Sequence, residues 1–235
     1  YSWSEGSITA GYNQRLESAI NWHQLGQVPV IRRVTGGRAI YHDPSEITYS
    51  LVWDAVSCPS LRLRSPGSSG YEYIALGLVA FLRAIGIPAE IVRRSSSRNS
   101  HPDFFHKAPC FSSRARWEIL SGGEKIIASA ARRFGTVVLQ HGAIKLHGKA
   151  AHPALDSDVT SAQSLRRVEP AEFEELAVAF EREVSYSLGL TTEPAMKWRE
   201  SLETSCELQE CVDYVKKNRL EQRDIFERRE RGRSL

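Results

Sequence analysis

The sequence predicts an α+β protein, because strand patterns come mostly first and helical patterns mostly last, without the regular alternation of a βαβ fold. Up to residue 146, most segments are short β-branched runs bounded by Gly and Pro, which is typical of strands joined by turns. From Pro170 onward, apolar residues recur at helical spacing. The chain has 235 residues, 41% hydrophobic and 25% charged, so we expect one globular domain or one domain with an appendage.

The first half of the chain predicts short strands and two helices. Ser7–Ala10 is the first predicted strand. After Gly11, the apolar spacing predicts an amphipathic helix that ends at Gly26 and has one face formed by Leu16, Ala19, Ile20 and His23. Further strands are expected at 28–33, 38–41 and 47–53, a second helix at 71–85, and another strand at 88–92.

The second half predicts a loop, a hairpin sheet and two helices. Residues 93–107 are rich in Ser and basic groups without periodicity, so we expect an exposed loop of the kind that often carries a site. Strands are expected at 117–120, 125–130 and 136–146, separated by Gly122-Gly123 and Phe134-Gly135. One helix is expected from Pro170, with an apolar stripe of Phe173, Leu176, Ala177 and Phe180, and a second at 201–220.

Composition and charge exclude several classes of protein. The net charge of +3, from 31 basic and 28 acidic residues, does not indicate a nucleic-acid partner. We predict neither membrane insertion nor secretion, because the chain has no stretch of ~20 apolar residues and no signal-peptide pattern at its start. The four cysteines form no CxxC pair and the histidines lack ligand spacing, so we expect a cytoplasmic protein with reduced thiols and no metal site. The chain starts without Met, in what resembles the end of a strand, so we expect an N-terminal piece to be missing.

Cys110 and Lys125 are candidates for covalent catalysis. A cysteine is a useful nucleophile only as the thiolate, and a nearby ammonium favours that form. A lone cysteine is more often a small buried residue, and a lone lysine is more often solvated. Sequence spacing therefore leaves both interpretations open.

The segment from Arg32 to Asp43 is a candidate binding turn. Its Gly36-Gly37 pair allows a close backbone approach to a ligand, and amides beside Arg33 and Arg38 suit an anionic group or a polarised carbonyl. A plain turn explains the glycines but not the arginines. His141, which precedes a glycine in an apolar strand, is a candidate for orienting a substrate, although a bond to a backbone carbonyl is the more common explanation.

Four blocks occur in this order: RRVTGGRAIYHDPSEITYSLV, APCFSSRARWEI, GGEKIIASAARR and VLQHGAIKL. Together they resemble the lipoate–protein ligase A and lipoyl/octanoyl transferase superfamily, and most closely its LipM octanoyltransferases. The likeness spans about residues 1–146. It implies a biotin/lipoate protein ligase (BPL/LPL) catalytic domain at 1–165, class II synthetase-like, with a mixed, largely antiparallel sheet and packed helices. Residues 166–235 are then a helical C-terminal extension.

The resemblance implies an acyltransferase of lipoate biosynthesis that needs no cofactor. Enzymes of this branch move an octanoyl group from acyl carrier protein onto a cysteine, and then to a lysine of a lipoyl domain such as the glycine cleavage H protein or an E2 subunit. The matching cysteine is Cys110 and the matching lysine is Lys125. The matching acyl-binding positions are Arg33, Gly36, Gly37, Arg38, His42, Ser129, His141 and Gly142. An apolar tunnel for the octanoyl tail is expected from Ile40, Leu51 and Ile144.

Three alternatives remain open on these residues. An ATP-dependent lipoate ligase, using ATP and Mg, shares the arginine, glycine and lysine blocks. Ligases usually have a third glycine where this chain has Arg38 and an Arg-Asn-Asp signature around the position of Cys110, which favours the transferase. A transferase between two lipoyl domains is the second alternative. A non-catalytic acyl-binding relative is the third, because Ala128 and Ala131 depart from the family's Gly-Ser-Ala-Gln run.

Overall fold

The computed structural model describes residues 1–57, 69–92, 117–147, 152–155 and 168–190. All of the described residues belong to one compact unit, Tyr1–Thr191. The predicted loop at 93–107, the predicted helix at 201–220 and the four cysteines lie outside the described residues. The division between residues 165 and 166 stays a prediction.

The described helices and strands follow most of the predicted segments. The strands are β1 (Ser7–Ala10), β2 (Val30–Arg32), β3 (Ile40–His42), β4 (Ile47–Asp54), β5 (Glu90–Ile91), β6 (Ile119–Ser121), β7 (Glu124–Phe134) and β8 (Val137–Ile144). The helices are α1 (Leu16–Ala19), α2 (Ser69–Ala84) and α3 (Phe173–Leu188), with 3-10 turns at Trp22–Gln24 and Pro170–Glu172. Within the described ranges, no helix combines the length and the apolar character that crossing a bilayer requires.

The described strands form two sheets. The smaller sheet has the order β2-β1-β3, in which β1 runs parallel to β2 and antiparallel to β3. The larger sheet has the order β4-β8-β7-β6-β5, and its neighbouring strands are antiparallel. The predicted α+β class with a mixed, largely antiparallel arrangement is confirmed.

One face of the larger sheet packs against α2 and α3. Tyr49 of β4 and Phe81 of α2 lie in the same buried core, and the ring of Phe180 from α3 contacts both, with centroid distances of 5.5 and 5.4 Å. The two helices approach closely at Gly77, where a Cβ would lie 2.8 Å from the Cα of Val184. Because side chains alternate along a strand, the residues between those of the core face the opposite side of the sheet.

The helix predicted after Gly11 is interrupted after one turn, so the expectation of a continuous helix is wrong. Ile20 is extended, with φ −128° and ψ 124°, directly after the four residues of α1. The Asn21 N–H donates to the carbonyl of Ala154 at 2.7 Å, and the Asn21 side chain accepts from the N–H of His23. These bonds replace helical ones, and His23 is exposed instead of sharing the buried face.

Candidate active site

A cavity of about 180 Å³ is lined by residues of both sheets. Its lining includes Thr9, Ile40 and His42 from the smaller sheet and Ala128, His141 and Ala143 from the larger sheet. The apolar members, Ile40, Ala128 and Ala143, pack together as a small buried cluster. An apolar wall with a few polar side chains is typical of a small-molecule site.

The turn after β2 brings Gly37 to the cavity in a left-handed conformation, with φ 94°. The guanidinium of Arg33 holds this turn by donating to the carbonyls of Gly36 at 3.1 Å and Arg38 at 2.8 Å. It also donates to the carbonyl and the hydroxyl of Thr9, at 2.8 and 2.7 Å. Arg33 therefore fixes the shape of the glycine turn relative to β1.

His42 is buried beside the cavity between Thr9 and Glu46. Its Nδ1 contacts the Glu46 carboxylate, its Nε2 lies 2.7 Å from the Thr9 hydroxyl, and the Trp3 ring stacks on it with centroids 4.2 Å apart. Burial lowers the pKa of His42, and the charge of Lys145 acts in the same direction, although the contact with Glu46 opposes them. The imidazole is therefore neutral at pH 7.

The neighbours of His42 determine which of its nitrogens carries the proton. Burial alone raises the pKa of Glu46, but the hydrogen bond from His42 and the charge of Lys145 hold it below its usual range. The ionised Glu46 accepts only, so Nδ1 of His42 donates to it and Nε2 accepts from the Thr9 hydroxyl. Lys145 pairs with Glu46 and donates to the carbonyl of Tyr41 at 2.7 Å. These contacts link polar side chains from Lys145, through Glu46 and His42, to Thr9 on the wall of the cavity.

His141 of β8 is a second neutral histidine on the cavity wall. Its Nε2 lies 2.5 Å from the hydroxyl of Thr35, a residue that is fully buried. Burial lowers the pKa of His141 to about 4, and the charge of Arg33 acts in the same direction. At pH 7 this side chain can hydrogen-bond to a ligand but carries no charge.

Gly142 marks a close approach between strands. A Cβ at Gly142 would lie 2.6 Å from Cε1 of Tyr49 and 2.8 Å from the carbonyl oxygen of Ala128. The Tyr49 hydroxyl accepts from Nε2 of Gln140 at 3.1 Å and shares a hydrogen bond with Oγ of Ser129 at 2.6 Å. Burial raises the pKa of Tyr49 to about 12. This glycine and these bonds set the spacing of the strands behind the cavity.

Lys125 lies near the start of β7, three residues before Ala128. Its side chain is buried, and Nζ donates to Oε1 of Glu118 at 2.6 Å. The second predicted catalytic residue, Cys110, lies outside the described residues. The distance between the two predicted catalytic side chains therefore stays untested.

The structure brings six of the predicted binding residues to the cavity wall: Arg33, Gly37, His42, Ser129, His141 and Gly142. Gly36 and Arg38 are connected to that wall through their carbonyls, which accept from Arg33. Of the expected tunnel residues, Ile40 lines the cavity, whereas Leu51 and Ile144 lie in the helix-facing core.

Sequence reasoning missed four polar residues that support this wall: Thr9, Thr35, Glu46 and Lys145. Lys145 carried a usable signal, because a lysine inside the apolar run of β8 and its continuation requires a buried partner. Glu46 follows His42 by four residues but gave no strand or helix pattern of its own. In the ranges that the structure covers, no group of three or more His, Cys, Asp or Glu side chains is arranged to hold a metal ion.

Two curated relatives are octanoyltransferases. The chain is 40% identical over 149 residues to octanoyltransferase LipM of Moorella thermoacetica, an alignment that covers 62% of this chain and 52% of the relative. It is 32% identical over 182 residues to octanoyltransferase LipM of Clostridioides difficile, covering 77% of this chain and 61% of the relative. The chain thus spans little more than half the length of these relatives.

Solved structures and a family profile agree on the domain. A Thermoplasma acidophilum protein assigned to the lipoate protein ligases, with bound lipoic acid, has a TM-score of 0.58 at 22% identity and covers 86% of this chain and 79% of its own. Lipoate-protein ligase A bound with ATP has a TM-score of 0.52 at 21% identity, covering 80% and 71%. These likenesses establish the fold. The profile of the lipoyl protein ligase A/B catalytic domain matches residues 1–179, and the chain therefore belongs to that family.

Proposed function

We propose that this protein is an octanoyltransferase of lipoate biosynthesis, active in the cytoplasm, which takes octanoyl groups from acyl carrier protein and delivers them to a lysine of a lipoyl domain. The observation that carries the proposal is an apolar cavity whose lining strand, β7, also bears the buried Lys125. The relatives named octanoyltransferase LipM, at 40% and 32% identity, support the same activity.

In the proposed reaction, Cys110 forms a thioester intermediate. Its thiolate attacks the carbonyl carbon of the donor thioester, a new C–S bond forms, the C–S bond to the donor breaks, and the departing donor thiolate takes up the proton that Cys110 gave up. The neutral amine of the recipient lysine then attacks the enzyme thioester, the C–N bond of the amide forms, the C–S bond to Cys110 breaks, and the sulfur leaves as a thiol with the proton that the amine loses. Exchange of one thioester for another is nearly isoenergetic and the final aminolysis is downhill, so neither step requires ATP.

The residues of the cavity have separable roles in this reaction. Lys125 supplies an ammonium that stabilises the Cys110 thiolate and the developing oxyanion. The glycine turn held by Arg33 and the neutral His42 and His141 surround the head of the acyl group. The apolar lining selects the tail, because each buried methylene contributes ~0.8 kcal/mol.

Mass spectrometry of the protein mixed with octanoyl acyl carrier protein tests the proposal. We expect a mass increase of one octanoyl group that maps to Cys110 and is transferred when a lipoyl-domain protein is added. Cys110→Ala should abolish the adduct, whereas Cys58→Ala, a matched loss of another thiol, should retain it. An adduct that survives in Cys110→Ala would refute the assigned nucleophile.

An ATP-dependent ligase is the second candidate, supported by the arginine and glycine turn that this chain shares with that branch. It predicts an acyl-adenylate and release of pyrophosphate from ATP and octanoate, and neither should depend on Cys110. Transfer between two lipoyl domains predicts an adduct from an octanoylated lipoyl domain instead of acyl carrier protein. A non-catalytic relative predicts octanoate binding without an adduct from either donor.

A further inference from the structure

The contact between Lys125 and Glu118 fixes where the lysine nitrogen lies. The Lys125 side chain is 4% exposed, the Glu118 side chain is 16% exposed, and Nζ lies 2.6 Å from Oε1. A distance this short is typical of a charge-assisted hydrogen bond. Because the ammonium is buried, this bond constrains the side chain far more than a solvated ion pair would.

The β6–β7 hairpin is shaped so that these two side chains meet. Lys125 is opposite Leu120 in the strand register, and Glu118 precedes Leu120 by two residues, so all three side chains share a face. Glu118 is therefore the diagonal neighbour of Lys125, within the reach of long side chains. The next register pair joins Ile119 to Ile127, which leaves Ile126 as an extra residue, a β-bulge directly after Lys125. Bulges next to active sites commonly redirect a side chain.

The backbone on the Glu118 side is also irregular and firmly held. Trp117 has φ 70°, a left-handed conformation that is a genuine outlier for a bulky residue. Its N–H donates to the carbonyl of Val92, and the Val92 N–H donates to the carbonyl of Glu118, both at 2.8 Å. These two bonds attach the strained turn to the end of β5. Strain of this kind is retained where the surrounding structure fixes it, and it concentrates at functional sites.

We propose that Glu118 is a positioning residue for Lys125. This inference rests on the proposed function, in which the Lys125 ammonium contacts the reacting thioester. The Glu118 carboxylate accepts an N–H of the ammonium and sets the direction of Nζ, so that the ammonium faces the acyl carbonyl in one geometry. Without the carboxylate, the long Lys125 side chain loses this constraint and occupies the reactive geometry for less of the time.

The rate of octanoyl transfer onto the protein tests this role. We compare Glu118→Gln, which keeps the shape and removes the charge, with Glu124→Gln, which makes the same change at an exposed position beside Lys125. Misplacement of a reacting group by about 1 Å costs up to ~100-fold, so Glu118→Gln should lower the maximal rate of transfer by roughly 10- to 100-fold. Its KM for octanoyl acyl carrier protein should stay within about twofold of the Glu124→Gln value, because the donor is still bound. Glu118→Asp keeps the carboxylate on a side chain that is one methylene shorter. Its maximal rate of transfer should therefore lie between those of Glu118→Gln and the parent.

Thermal unfolding of the same variants separates positioning from a purely structural ion pair. Loss of stability in Glu118→Gln with an unchanged maximal rate would show a structural pair and overturn the proposal. If Glu118→Gln does not fold, Glu118→Asp decides, because a rate equal to that of the parent would overturn the proposal. In a Lys125→Ala background, Glu118→Gln should cause no further loss of rate. If it lowers the rate there by the same factor as in the parent, Glu118 does not act through Lys125.

Failure of the proposed function gives a different result. If the parent accepts no octanoyl group, or if Lys125→Ala transfers at the parent rate, the proposed function is wrong. If Lys125→Ala transfers more slowly than the parent and Glu118→Gln is as fast as Glu124→Gln, this inference alone is wrong. Labelling of Lys125 by trinitrobenzenesulfonate, mapped by mass spectrometry, tests the constraint without any transfer. We expect faster labelling in Glu118→Gln than in Glu124→Gln, and equal rates would contradict the proposal.

Discussion

The polar side chains around the cavity are each bonded to another part of the protein. Arg33 donates to carbonyls of the glycine turn, His42 lies between Glu46 and Thr9, and His141 contacts Thr35. Both histidines have lowered pKa values, with burial as the leading cause, so they are neutral at pH 7. These residues therefore shape the cavity and offer hydrogen bonds at neutral pH, while the proposed proton transfers involve the reacting thiols and the recipient amine.

The lowered pKa of His141 predicts a loss of stability in mild acid. The unfolded chain takes up this proton near the ordinary histidine pKa of 6.5, whereas the pKa of His141 in the folded protein is about 4. Stability from neutral His141 is therefore fully present above about pH 6.5 and is lost as the pH falls towards 4. We expect the free energy of urea unfolding to drop between pH 7.5 and 4.5 by roughly 2–3 kcal/mol more in the parent than in His141→Gln.

His23 provides the matched control for this measurement. His23→Gln makes the same substitution at an exposed position, so it is the reference for the general effect of exchanging a histidine for glutamine. His42 also makes the unfolding free energy fall as the pH falls, and Glu46 does so at lower pH. Both residues are present in the parent and in each variant, so their contributions cancel in the comparison. If the unfolding free energy of His141→Gln falls with pH as much as that of the parent, His141 has the same pKa in the folded and unfolded chains and the prediction is wrong.

At the scale of strands, β7 and β8 pack closely because Gly142 has no side chain. Ser129 pairs with Gly142 in the register, and a Cβ at Gly142 would collide with Tyr49 and with the Ala128 carbonyl. That carbonyl belongs to the neighbouring strand, so Gly142→Ala should force the strands apart or displace the Tyr49 ring. Overpacking of this kind costs about 1–3 kcal/mol in urea unfolding.

A second glycine of the same site supplies the control. A Cβ at Gly36 meets nothing within 4 Å, and its backbone is not left-handed. Gly36→Ala should therefore change the unfolding free energy by less than about 0.5 kcal/mol. Equal effects of the two alanine substitutions would mean that the strands adapt to a methyl group at Gly142 without cost.

The elements that sequence analysis predicted well are those determined by local residues. The β6–β7 turn is one example, because Gly122 and Gly123 supply the left-handed conformations, with φ 57° and 81°, that a tight turn needs. The break in the helix after Gly11 was not predictable, because it depends on a hydrogen bond from Asn21 to the distant Ala154. A local pattern cannot reveal a partner so far along the chain.

The residues of the candidate site were likewise predictable only where their partners lie close in the sequence. Arg33 and the glycine turn were predictable together, because the residues that bond to one another lie within a few positions. Lys145 and Thr35 were missed as parts of the site, since their partners Glu46 and His141 come from distant strands and loops. The family resemblance identified positions in the cavity wall, but it did not identify the buried residues that hold them in place.

At the scale of the whole molecule, the cavity depends on both sheets. The smaller sheet contributes Ile40 and the larger sheet contributes Ala128 and Ala143, and neither sheet alone encloses the apolar space. A ligand that fills the cavity therefore binds the assembled structure and not the unfolded chain. Such a ligand stabilises the folded state by an amount set by its concentration relative to Kd.

Fatty acids of increasing length test this coupling through thermal unfolding. At a concentration ~100 times its Kd, octanoic acid should stabilise the protein by about 2.7 kcal/mol, because only the folded state binds it. From hexanoic to octanoic acid, each methylene should lower Kd about fourfold, which corresponds to ~0.8 kcal/mol of apolar burial. Ala128→Leu fills the space with its own side chain and should abolish the rise in Tm, whereas Ala84→Leu, the same change at an exposed position of α2, should retain it. If octanoic acid raises the Tm of both variants equally, the fatty acid binds elsewhere, and the cavity between the sheets is not the acyl-binding site.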